Sequence, residues 1–208
     1  MRLVLVGGGG HASDILGALE AIEANGGPRI VSGIVADAEI DMSRFKDRGV
    51  RQIGTIDDLS KLDVTHFVAA VGYPVGRKAV AIRAEAAGLK PYCVIHPSAW
   101  APTGVAVGPG AVILARACIS PGAVIGSHAM ISNMAIIGHD CRVGDYVSVM
   151  PGAAVSGDTH LDEGCLIGTN AAVIEKRRVG AWATVGAGAV VVSDIPPNVT
   201  AMGAPARF

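Results

Sequence analysis

The chain has 208 residues, half of them hydrophobic but only 4% aromatic, with 28 glycines and a formal net charge of −1. That balance gives no electrostatic reason to bind nucleic acid or an anionic membrane, and it favours thin repeated layers over one core filled by large rings. The apolar run at residues 3–6 is too short for a signal peptide, and no stretch of 18 residues is free of charge and glycine, so a soluble, cytoplasmic chain without a membrane span is expected.

Residues 1–94 read as alternating strand and helix. Residues 3–6 form a buried strand, 7–10 a glycine turn, and 11–24 a helix with Ile15, Leu16, Leu19 and Ile22 on one face. A second strand over 30–36 ends at Asp37, and the charged, weakly periodic residues 38–50 form a loop. Thr55 can cap a short helix through Asp58 and Leu59. A strand over 66–71, a turn at 72–74, a helix over 75–87 stopped by Gly88 and a last strand over 91–95 complete this part. The order predicts a small parallel sheet wrapped by helices, a Rossmann-like α/β unit.

Residues 95–208 follow another rule. From Val107 to Val191 every sixth residue is Val, Ile or Leu, fifteen times in succession. Neither the helical period of 3.6 nor the strand period of 2 produces this; six is the period of hexapeptide-repeat parallel β-helices. Four residues after each aliphatic position stands a small residue such as Ala111, Ala135, Cys141 or Cys165, with Val147, Thr159 and Arg177 as departures. Glycine often follows the aliphatic residue, which suits corners. With eighteen residues per circuit, residues eighteen apart lie one above the other, about 4.8 Å apart. Pro196 and Pro197 then end strand pairing ahead of a short tail. The four cysteines lack C-x-x-C spacing, so neither metal nor disulfide is expected; Cys141 and Cys165 read as core thiols.

Three constellations carry chemistry. Gly7, Gly9 and Ala12 satisfy G-x-G-x-x-A between a strand and a helix, where backbone amides receive phosphate. Asp37, at the end of the next strand, can take ribose or base, and His11 is a candidate ligand contact at the turn. With fewer than 100 residues and no second mononucleotide half, the unit suits one nucleotide better than the dinucleotide of an NAD-dependent oxidoreductase. His139, two past an inward aliphatic residue, should project from a corner, with Asp140 to orient its ring and Gly157 one circuit away leaving room for a ligand. Lys176, Arg177 and Arg178 form a basic cluster, either a coenzyme A phosphate contact or a solvated corner.

Together the Gly7–Ala12 turn, Asp37, residues 70–77, 95–99, 139–141 and 203–207 resemble the NeuD/PglD-like sugar acetyltransferase family, over essentially the whole length, which implies a left-handed β-helix joined to the small nucleotide-binding unit. The resemblance implies acetyl transfer from acetyl-CoA, without a metal, to the amine of a nucleotide-linked amino sugar of the 4-amino-4,6-dideoxy type. By it, His139 is the general base and Asp140 its carboxylate partner. Gly157, Gly168, Thr169, Gly186 and Ala187, with Lys176, fall where relatives hold acetyl-CoA, and Gly8, Gly9, His11, Asp37, Tyr73 and Arg77 where they hold the nucleotide sugar. A homotrimer with each active site between neighbouring coils is implied as well. Two departures from the family pattern stand out: Tyr73 and Pro74 follow Gly72 where relatives often have Asn, and Ser148 stands nine residues past the base, where some N-acetyltransferases carry a second histidine. The alternatives are sugar O-acetylation of the sialic-acid type, with the same chemistry and another nucleophile, and a non-catalytic trimeric nucleotide-binding scaffold.

Overall fold

The computed structural model describes residues 1–208. Its first part is a five-stranded, all-parallel sheet in the order β3-β2-β1-β4-β5, formed by β1 (Leu3–Val6), β2 (Val31–Val35), β3 (Gln52–Gly54), β4 (His66–Ala69) and β5 (Lys90–Pro91). All four residues of β1 are buried, as the continuous apolar run demands of a central parallel strand. Helix α1 (Gly10–Ala24) buries Ile15, Leu16 and Leu19, and helix α2 (Pro74–Ala86) starts with proline in its first turn, where the missing N–H costs nothing. Thr55 does cap a short 3-10 helix, Ile56–Lys61, through a reciprocal box with Asp58.

Three expectations are corrected here. The expected loop at 38–50 contains a 3-10 turn, Met42–Phe45, anchored by the buried Phe45. Strand β3 was not anticipated, since three residues carry no readable period. The single strand expected over 91–95 is two: β5 closes the first sheet, and β6 (Val94–Ile95) pairs with Val112–Ile113 as the first rung of the coil. Val94, Val112 and Leu114 share one apolar cluster with Leu3, Leu5 and Ile15, so the two parts are joined by a continuous core.

The coil is a three-sided stack of two-residue parallel strands in sheets of five, seven and five strands. Pairs such as Val124↔Arg142, Met130↔Ser148 and Ile136↔Ala154 obey the spacing of eighteen. The spacing shortens only at the last rung, where Thr184 pairs with Thr200. The aliphatic and small registers fill the interior as one cluster of 29 buried residues, Cys141 and Cys165 among them as free thiols. Thr159 is tolerated there because its hydroxyl donates to the Ile174 carbonyl, whereas Arg177 turns outward.

The glycines after the aliphatic positions serve close approach rather than a bend. A Cβ at Gly108, Gly138 or Gly168 would strike the backbone of the next rung. The bend itself comes two residues later, in left-handed backbone every six residues: Gly110, Gly122, Gly152 and Gly164, but also Arg116, His128, Met134, Asp140, Tyr146 and Lys176. Each non-glycine residue there costs about 1–2 kcal/mol, offset by the rung pairing on either side.

Candidate active site

His139 stands on the edge between the sheet containing Ile136–Ile137 and the sheet containing Arg142–Val143. Asp140 occupies the left-handed corner, with φ 60°, which turns its carboxylate back onto the ring: Nδ1 of His139 lies 2.8 Å from Oδ2 of Asp140. Both side chains are mostly exposed, at 68% and 63%. A carboxylate at Nδ1 accepts a hydrogen bond from the Nδ1–H and so leaves the lone pair on Nε2. Nε2 faces Gly157, where a Cβ would collide with the ring. The Gly157 amide has no backbone partner, although its carbonyl accepts from the Lys176 amide at 3.1 Å. This edge therefore offers a base, its orienting acid and a free N–H one rung apart.

The next edge of the prism, where the seven-stranded sheet turns toward the sheet containing Ile136–Ile137, carries a cleft of about 290 Å³. Gly168, Thr169, Gly186 and Ala187 line it, with Met150 and Leu166 from the coil and Gly72 and Tyr73 from the first part. The amides of Thr169 and Ala187 have no backbone partner. Four of the residues expected to hold the acyl donor thus meet in one cleft, together with Tyr73, whose side chain is 77% exposed at its mouth. Gly157 and Lys176 do not join them; they lie on the His139 edge, because 139, 157 and 175 form one column of the repeat while 150, 168 and 186 form another.

At the glycine turn, Gly7 has φ 116° and lies so close to the Ala70 carbonyl that no side chain is tolerated. Gly8 is covered by Ile40, whereas Gly9 and Gly10 face open space, and the amides of residues 8–11 lack backbone partners. A side chain could therefore be added at Gly9 or Gly10 but not at Gly8, while the amides of all three lack a backbone partner. Nε2 of His11 is buried without a partner, and burial plus the charge of Arg77 lowers its pKa to about 4, so the ring is neutral at neutral pH. Asp37 remains half-exposed but is already engaged: Arg83 binds both its oxygens and also reaches Asp57 at 2.6 Å. That hydrogen bond from Arg83 is the main cause holding Asp37 below its ordinary pKa.

Arg77 corrects the sequence reading most sharply. Only 1% exposed, it cannot meet a substrate: Nε donates to the His128 carbonyl, and its two terminal nitrogens to the carbonyls of Val71, Gly72, Tyr146 and Val147 and to Oγ of Ser148. Burial lowers its pKa to about 10, which leaves it charged at neutral pH. His128 is buried between Phe67 and Tyr146, with Nε2 3.2 Å from Glu85. Neither this packing nor the roles of Arg83, Met150 and Leu166 has a signal in the repeat. A larger cavity, about 370 Å³, lies apart from both edges between Leu16, Leu19 and Val50; Arg48 on its wall is paired with Glu20.

Against solved structures, the chain aligns over its full length, and over 96% of the other chain, with a histidine-to-asparagine mutant of perosamine N-acetyltransferase from Caulobacter crescentus in complex with CoA and GDP-perosamine, at 30% identity and a TM-score of 0.90. The acetyltransferase domain of PglB from Neisseria gonorrhoeae, in complex with acetyl coenzyme A, aligns at 31% identity over 99% of this chain and 98% of that one, with a TM-score of 0.87. The chain belongs to the hexapeptide-repeat sugar acetyltransferases. No family model matches it. Among curated sequences, serine acetyltransferase from Salmonella typhimurium is 46% identical over 55 residues, 26% of this chain and 20% of that protein, so this match spans about a fifth of the relative's length. In this sugar acetyltransferase no helix is long and apolar enough to cross a membrane.

Proposed function

We propose that this protein transfers acetyl from acetyl-CoA to the amine of a nucleotide-linked amino sugar, with His139 as general base. The observation that carries the reading is the His139–Asp140 pair beside Gly157, whose amide has no backbone partner. The relatives' bound CoA and GDP-perosamine support the two substrate classes. The sugar amine attacks the thioester carbonyl, a C–N bond forms, and Nε2 of His139 accepts the proton released. The Gly157 N–H faces the developing oxyanion. Collapse breaks the C–S bond, and the imidazolium returns its proton so that coenzyme A leaves as a thiol. No metal enters these steps.

The first part, residues 1–94, acts as a Rossmann-like nucleotide-sugar unit, with phosphate at the Gly9 and Gly10 amides and His11 beside it. Residues 95–208, a left-handed β-helix, supply the chemistry. A homotrimer is the natural assembly. The face between the His139 edge and the cleft edge presents Cys118, Ile136, Ala154, Ala172 and Val190 outward, without a charge, whereas a neighbouring face presents Arg142, His160 and Arg178. A ring in which each His139 edge meets the next copy's cleft edge uses that face head to tail and closes on itself. We place the reaction in the cytoplasm, where acetyl-CoA and nucleotide sugars are available.

The test is a screen of UDP-, GDP- and dTDP-linked 4-amino sugars with acetyl-CoA, read by thiol release. One of them should be turned over to a product whose acetyl group survives mild base, as an amide does. A base-labile product would mean transfer to a hydroxyl, and no thiol release with any of them would count against acetyl transfer.

A further inference from the structure

The loop after β4 lies between the two ligand regions. On one side Val71 packs on Gly7 and Gly72 approaches His11; on the other, Gly72 and Tyr73 line the acyl-donor cleft. Its carbonyls are held from within the protein. The Gly72 carbonyl accepts from Arg77 at 2.7 Å and from Oγ of Ser148 at 3.1 Å, and the Val71 carbonyl accepts from Arg77 at 3.1 Å. In a trans peptide the N–H points away from the C=O, so fixing the Gly72 carbonyl turns the Tyr73 amide away from Arg77. Pro74 keeps the backbone of the preceding Tyr73 extended, at φ −78° and ψ 133°, and Tyr73 lies against the cleft. The only side chain from the coil on the Gly72 carbonyl is Ser148, fully buried and itself accepting from Arg77 at 2.9 Å.

We propose that Ser148 and Arg77 are positioning residues for acetyl transfer, acting through Tyr73: they lock the Gly72 peptide so that the Tyr73 ring forms one wall of the acyl-donor cleft. The inference rests on the proposed acetyl transfer. It assigns Ser148 a part in donor binding although its side chain reaches neither the cleft nor His139. It also explains how the glycine turn and the cleft keep a fixed relation, since one loop touches both and one guanidinium holds it to two rungs of the coil.

Because replacing Arg77 threatens the fold, the test uses Ser148→Ala, Tyr73→Ala and the double variant, with wild type turning over acetyl-CoA as the starting condition. Failure of wild type to release thiol defeats the parent reading; the following outcomes concern the positioning alone. Each single variant should raise KM for acetyl-CoA by about 3- to 10-fold, the effect of one lost contact, with kcat within about twofold of wild type. The double variant should match Tyr73→Ala rather than the product of the two effects, because coupled residues are not additive. A Ser148→Ala protein with lower Tm but unchanged KM has a purely structural serine and overturns the proposal. So does a multiplicative double variant, or a Tyr73→Ala protein with unchanged KM.

Discussion

Two edges of the same coil, built from the same six-residue rule, differ in what they hold out to solvent. The His139 edge presents a titratable pair in the open, with a glycine opposite the ring. The next edge presents a recessed cleft whose lining contains no titratable side chain but Tyr73. The backbone is nearly the same on both, since each corner places one residue in left-handed geometry and leaves an amide without a partner. What separates them is one side chain per corner and the loop that the first part of the chain lays over only one of them. The titratable pair and the recessed cleft thus stand on different edges of one chain.

Breaking the first edge should have the largest effect. His139→Ala lowers kcat by about 10²- to 10⁴-fold, with circular dichroism unchanged because the ring is exposed. Gly157→Val places methyl groups where the ring of His139 lies, and displacing the base costs about 10- to 100-fold in kcat, with KM for acetyl-CoA changed far less. Asp140→Asn costs less than loss of the base, about tenfold, because the His139–Asp140 pair is open to water on both sides. Steady-state kinetics of the purified variants checks all three.

The smallest effect lies off both edges, at the glycine turn. The pKa of His11 is depressed from 6.5 to about 4, so between those values the unfolded chain takes up a proton that the folded one refuses. Stability is therefore full above pH 6.5 and falls as pH drops through this window. His11→Gln removes that contribution, and the fall in Tm between pH 6.5 and 4, followed by thermal melts, becomes shallower.

The coil was legible because its period is a direct consequence of its geometry: each side of the triangle needs one branched and one small residue inside, and the stacking repeats that demand without interruption. That His139 and Asp140 stand exposed at an edge was readable for the same reason, since the register says which residue faces out. The meeting of Tyr73 with Gly168 and Ala187 was not readable, because nothing periodic says how the first sheet sits on the coil. Arg77, placed beside the nucleotide sugar by the resemblance, is unreadable for a related reason: its six acceptors come from segments far apart in sequence. The half-buried Arg83 escaped notice because its partners, Asp37 and Asp57, meet it only where α2 packs beside the 3-10 helix Ile56–Lys61.

The division of labour between edges is tested most directly by complementation. Chains carrying His139→Ala, which keep the cleft, are mixed after denaturation with chains carrying Ala187→Trp, which keep the base, and acetyl transfer is measured at low acetyl-CoA. A site built from the His139 edge of one copy and the cleft edge of the next predicts activity above the sum of the two parents, about a quarter of wild type for statistical mixing in a ring. Hybrid oligomers, verified by mass spectrometry, that are no more active than their parents would contradict the account.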